Sequence, residues 1–124
     1  AQMSPSLDDQ IWAFVSVAEV SSEYMAGHAL ATFRETEGTT LIVPWERAAE
    51  FDVCSEPMAR ITLNSHSSLE AVGLTAAASQ ALASEAISAN MVAGFYHDHI
   101  FVPQTAGERA VACLTLLSAA AEGF

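Results

Sequence analysis

The stretch from Arg60 to Leu117 alternates between strand-like and helix-like patterning, and this constrains the fold more than any other feature of the chain. Ile61-Thr62-Leu63 is a short apolar run that leads into the polar loop Asn64-Ser65-His66-Ser67-Ser68. An alanine-rich segment follows, in which Leu74, Ala77, Ala78, Ala81, Leu82 and Ala86 fall at helical spacing along one stripe. Two strand-like runs then hinge at His97-Asp98, and a second helix follows Pro103 with Ala110, Val111, Leu114 and Leu117 as its stripe. This is a βαββα order, which needs a sheet with helices packed on its face. Ser67-x-x-Glu70 has capping-box spacing and would start the first helix at Leu69. Gly73 would then be an interior residue costing about 1 kcal/mol relative to alanine. The reading adopted is a short turn over Leu69 to Val72, with the long helix beginning at or just after Gly73. Thr105-x-x-Glu108 marks the start of the last helix.

The chain also echoes itself. Leu41-Ile42-Val43-Pro44 returns as Ile100-Phe101-Val102-Pro103, and Glu46-Arg47-Ala48 as Glu108-Arg109-Ala110. A strand-like run and a turn precede each copy: His28 to Arg34 before Glu37-Gly38, and Ala89 to Tyr96 before Asp98. Ile11 to Val17 corresponds to Arg60 to Asn64. Duplication is the reading adopted, with chance similarity of short apolar runs as its competitor. It divides the chain into units 1–57 and 58–124. Ala18 to Gly27 leaves room for a turn or two of helix, so the loop Asn64 to Leu74 is the better-formed site and the first unit mainly completes the sheet. Trp12, Phe14, Phe33 and Phe101 lie in strand-like runs and are expected in the core.

At 124 residues with 52% hydrophobic content, the chain can build a packed interior. No apolar run reaches the roughly 18–20 residues of a membrane span. No basic segment followed by an apolar core opens the sequence, so no retained signal peptide is visible. The opening Ala1-Gln2-Met3 reads as a trimmed or processed start. Fifteen acidic residues face four arginines and no lysine, a formal net charge of −11. Such a chain repels phosphate backbones and anionic lipid surfaces at long range, which argues against nucleic-acid and membrane partners. The ordinary reading of the acidity is solubility. Cys54 and Cys113 fit no redox or zinc spacing, and the expected compartment is the cytoplasm.

The run from Leu63 to Pro103, "LNSHSSLEAVGLTAAASQALASEAISANMVAGFYHDHIFVP", resembles the ACT domain, a ferredoxin-like βαββαβ module that senses amino acids in many regulatory proteins. It is similar in particular to small bacterial proteins made of two ACT-like units, uncharacterised in function. Gly73-Leu74 matches the glycine at the family's first strand–helix junction, and Ile100 to Pro103 matches its third strand. The aspartate and proline common before that glycine are replaced here by Glu70-Ala71-Val72. The resemblance implies an α/β sandwich of two ferredoxin-like units, with an antiparallel-rich sheet faced by helices. It also implies a non-enzymatic sensor of an amino acid or similar small carboxylate, or else a ligand-free module for self-association or partner docking.

The candidate ligand-binding residues are Asn64, Ser65, His66, Ser67, Ser68, Val72, Gly73, Leu74, Thr75 and Asp98. A helix start offers unpaired N–H groups to a carboxylate. Serine hydroxyls and Asn64 add donors and acceptors, and Glu70 or Asp98 could take an amino group. The alternative is that these serines only cap the helix. His97 and His99, with His66, invite a metal, but a turn at His97-Asp98 would split the pair and no further ligand accompanies them. No metal and no cofactor is expected. The chain has no lysine for Schiff-base chemistry, no nucleophile elbow and no phosphate-loop lysine, so no enzyme is expected. Few charges protect its apolar faces and sheet edges, and a homodimer is the expected assembly.

Overall fold

The computed structural model describes residues 4–64 and 71–122. By contact the chain forms two units, Gln10–Met58 and Ala1–Asp9 with Ala59–Phe124. These differ from the expected division at 1–57 and 58–124 mainly in the first nine residues, which group with the C-terminal part. The cause is strand β1, Ser4–Val17, which is long enough to give residues to both units.

The N-terminal unit holds the second half of β1, helix α1 (Ser22–His28), strands β2 (Ala31–Arg34) and β3 (Thr39–Pro44), a 3-10 helix at Trp45–Glu50, and strand β4 (Val53–Cys54). Its strand order is β4-β1-β3-β2. All three pairings are antiparallel. Register sets Ala13 opposite Val43 and Val15 opposite Leu41. Alternation therefore gathers these four on one face, where they form a buried cluster with Ala48. Val20, Tyr24, Met25 and Phe51 pack against that cluster. Ser21 caps α1 by accepting the Tyr24 N–H at 3.0 Å. Gly38 closes the β2–β3 turn, where an added Cβ would lie 2.9 Å from the Val17 carbonyl oxygen.

The C-terminal unit holds strand β5 (Met58–Asn64), helix α2 (Ala71–Ser84), strands β6 (Asn90–Ala93) and β7 (Asp98–Pro103), and helix α3 (Gly107–Glu122). Its sheet runs β1-β5-β7-β6, with the start of β1 as the strand beside β5. Two side chains tie that strand in. Asn64 Nδ2 donates to the Ser4 carbonyl at 3.1 Å. The Arg60 guanidinium donates to Asp8 Oδ2 at 2.9 and 3.2 Å. Ala59, Ile61 and Leu63 of β5 are buried while Arg60, Thr62 and Asn64 are half-buried, the alternation of a strand with one core face. Helices α2 and α3 pack on each other, and α3 packs on β7. Each unit is thus a βαββαβ arrangement, the fourth strand of the second coming from the start of the chain.

Helix α2 ends in a Schellman motif. The Ile87 N–H donates to the Leu82 carbonyl at 2.9 Å and the Ala86 N–H to the Ala83 carbonyl at 3.0 Å. Ala86 itself takes φ 58, a left-handed position usually given to glycine. Leu82 and Ile87 are both buried, which supplies the apolar contact of the motif.

Several expectations are corrected. Helix α2 already includes Ala71, so Gly73 lies inside the helix instead of at or before its start, without positive φ and with open space, among the described residues, where a Cβ would stand. Ala86 lies beyond the helix and is exposed, so it does not belong to the apolar stripe. The hairpin turns over Gly94–His97, where the Gly94 N–H meets the His97 carbonyl at 2.9 Å, and Asp98 already opens β7. His28 ends α1 instead of starting a strand. The segment after Pro44 is a 3-10 helix only. A 3-10 turn at Gln104–Ala106 occupies the expected cap, and α3 starts at Gly107. Phe33 is 71% exposed on β2, whereas Trp12 and Phe101 are buried as expected and Phe14 is half-buried. Strand patterning alone does not tell which face of an edge strand is covered.

Candidate functional site

The site expected from sequence lies in the C-terminal unit, between the end of β5 and the start of α2. Ser65, His66, Ser67 and Ser68 fall outside the described residues, as do Leu69 and Glu70. Asn64 ends β5, half-buried, with its amide engaged on Ser4. Val72, Gly73, Leu74 and Thr75 lie in the opening turns of α2, Gly73 exposed and Leu74 and Thr75 half-buried. Asp98 is half-buried at the start of β7. The start of β7 lies beside the end of β5, because His99 Nδ1 and Thr62 Oγ1 are 3.1 Å apart across the two strands. Asp98, Asn64 and the N-terminal turn of α2 therefore belong to one end of this unit.

His99 is partly withdrawn from water. Burial, then the charges of Arg60 and His97, hold its imidazole below the usual value of 6.5, with Asp98 opposing. Its ring also sits near Gly94, where an added Cβ would meet His99 Nε2 at 3.4 Å. His97 is exposed in the turn. Among the described residues no three His, Cys, Asp or Glu side chains converge in a way that could hold a metal ion. Cys54 is exposed, and Cys113 is half-buried with its thiol pushed up by burial and then by Glu85. No described helix is long and apolar enough to cross a membrane.

A concavity that sequence reasoning did not find lies wholly within the N-terminal unit. It encloses about 540 Å³, opens to solvent, and is lined by Glu19, Val20, Met25, Thr32, Arg34 and Thr39. Its origin is the length of α1. Seven helical residues cover about 10 Å. The six residues of β3 extend for about 20 Å. One end of the sheet face therefore stays uncovered. Ala18 to Gly27 did signal a short helix, but the gap it leaves follows only from where α1 docks.

Comparison with known proteins agrees with this architecture. Residues 1–60 and residues 53–115 each match an ACT domain pattern. A Vibrio cholerae protein of unknown function, described as a possible transport protein, is 42% identical, with 94% of this chain and 91% of that one covered and a TM-score of 0.84. An Agrobacterium tumefaciens protein matches at 14% identity over 92% and 87% of the two chains, with a TM-score of 0.76. The regulatory subunit of aspartate kinase from Thermus flavus matches at 13% identity over 92% and 96%, with a TM-score of 0.66. The last two are likenesses of fold. No curated protein matches the sequence. With both halves matched, their strands in split βαββαβ order, the chain belongs to the ACT-domain family.

Proposed function

We propose that this chain is a non-enzymatic regulatory or sensor protein of the cytoplasm that binds an amino acid or similar small carboxylate and works as a homodimer. The observation that carries the reading is the tandem ACT match over residues 1–115, because ACT domains generally bind amino acids in regulatory proteins. The likeness in fold to an aspartate kinase regulatory subunit supports it. In the C-terminal unit the proposed ligand residues are Asn64 to Ser68, Val72 to Thr75 and Asp98. The opening N–H groups of α2 would receive a carboxylate, and Asp98 would face the ammonium. Asn64 takes part through its carbonyl oxygen and its second amide N–H, the first being donated to Ser4.

The test is a thermal-shift screen against the common amino acids. A ligand at about 100 times its dissociation constant adds about 2.7 kcal/mol to stability, well within detection. Light scattering should return a dimer mass, and a monomer at micromolar concentration would remove the homodimer. A second reading, a ligand-free module for self-association, is favoured by the exposure of Phe33, Phe95 and Tyr96 at 71%, 95% and 82%. An intact dimer that responds to no amino acid would select it.

A further inference from the structure

We infer that two copies of the chain meet through the outer face of α2 and α3 in the C-terminal unit, helix layer against helix layer about a two-fold axis. The inference rests on the homodimer proposed above and assigns its surface. Each helix carries two regular stripes. One is buried, with Ala78 and Leu82 on α2 and Ala110 and Leu114 on α3. The other is exposed: Ala76, Gln80 and Ala83 on α2, and Ala112, Leu116 and Ala119 on α3. Steps of three and four residues are the spacing of a seam between helices. A surface helix ordinarily turns a charged or polar face to water. These two helices do not.

The charge pattern sets this layer apart from the rest of the molecule. Helix α2 has no charged residue over Ala71–Ser84, and α3 has none from Ala110 to Ala121, in a chain that is 15% charged with a net charge of −11. The N-terminal unit is different: α1 carries Glu23 and His28, and the 3-10 helix carries Glu46, Arg47 and Glu50. Two of the hydroxyls in the layer are also turned inward. Ser84 Oγ donates to the Gln80 carbonyl at 2.9 Å and Thr115 Oγ1 to the Val111 carbonyl at 2.8 Å. Their own helix satisfies them, so covering them leaves no donor unpaired.

Charge also selects the occupant. A two-fold interface sets a patch against its own copy. An acidic patch set against itself repels, whereas a neutral apolar patch matches itself. A partner of opposite charge would be drawn to the acidic surface of the chain, not to its uncharged layer. Small side chains let facing helices approach to about 8 Å. Leu116, 72% exposed, is the large apolar side chain of the two stripes, and covering it on both copies removes apolar area from water twice. The other exposed apolar groups fit a copy less well. Phe33 lies on a strand that runs on into Glu35 and Glu37, charges that a second copy would double. Phe95 and Tyr96 pack edge to face on each other, with ring centroids 5.0 Å apart.

The experiment is sedimentation equilibrium of the full chain across micromolar concentrations. The parent should be a dimer. Leu116→Glu and, separately, Ala76→Glu should each weaken it by at least about a hundredfold, because two-fold symmetry buries each new charge twice. Both positions are exposed and glutamate is a good helix former, so far-UV circular dichroism matching the parent will show that the variants fold. Phe33→Glu, in the other unit, should leave the dimer intact. Raising sodium chloride from about 0.05 to about 0.5 M should tighten the parent dimer, since salt screens the repulsion between two chains of charge −11. A dimer that loosens with salt would overturn the uncharged interface. A dimer that ignores both glutamates, or that Phe33→Glu dissociates in their place, would overturn the helix layer and leave the homodimer standing. A monomeric parent would overturn both and leave the layer to a different protein.

Discussion

Two glycines in two helices should answer the same substitution with opposite signs. Gly107 opens α3 with φ −56 and ψ −53, ordinary helical angles that any residue adopts. Its reason is space. An added Cβ would lie 3.2 Å from the Ala59 Cβ and 3.4 Å from Leu7 Cδ1. Ala59 is a buried strand residue whose Cβ is fixed to the backbone, so it cannot swing away. Gly107→Ala gains at most about 1 kcal/mol of helix propensity. Overpacking costs about 1–3 kcal/mol. With the full gain set against that cost, the expected net loss is about 0–2 kcal/mol, a fall of up to roughly 8 °C in Tm for a chain of this size. Gly73 has nothing among the described residues within 4 Å of its missing Cβ. Gly73→Ala should therefore keep the propensity gain and stabilise by up to about 1 kcal/mol. Urea unfolding followed by far-UV circular dichroism measures both. A Gly107→Ala protein more stable than the parent would refute the close approach of α3 to β5 and to the start of β1.

Other perturbations follow from single contacts. Ala86→Gly should raise stability by about 1 kcal/mol, since glycine meets no Cβ penalty at φ 58; thermal melts check it. Asp8→Asn should cost about 1 kcal/mol, because its pair with Arg60 is only about one-fifth exposed on either side. An unchanged melting temperature would count against anchoring of the N-terminal strand by that pair. His99 has a folded value below 6.5, so the unfolded chain takes up its proton first. The stability it contributes is present above about pH 6.5 and is lost as pH falls through its folded value. His99→Gln should flatten the dependence of the urea midpoint on pH in that window.

Most of the secondary structure was legible because its signals are local. Alternation in β5 and the stripe of α3 are properties of a few neighbouring residues, and the resemblance in Leu63 to Pro103 implied the family fold. The helix boundaries were less legible. Gly107 starts its helix at a point that depends on what the chain packs against, and Gly73 and Thr105 gave misleading local cues. Phe33 shows the same limit. Its run reads as a buried strand, yet only an edge position explains why its ring is exposed.

The two candidate sites divide along the same line. The loop between β5 and α2 could be named from residues alone, because a polar run between strand and helix is a continuous segment. Asp98 joined it as a carboxylate able to take an amino group, and the bond between Thr62 and His99 is what brings its end of β7 alongside. The concavity of the N-terminal unit could not be named that way. Glu19, Arg34 and Thr39 come from three separate elements, and no spacing in the chain links them. Patterning written along a chain fixes which face of each element is apolar and where turns fall. Which strands become neighbours and where a short helix fails to cover its sheet are products of long-range pairing. For this protein, the start of β1 joining β5 and the register of β2 on β3 made those choices.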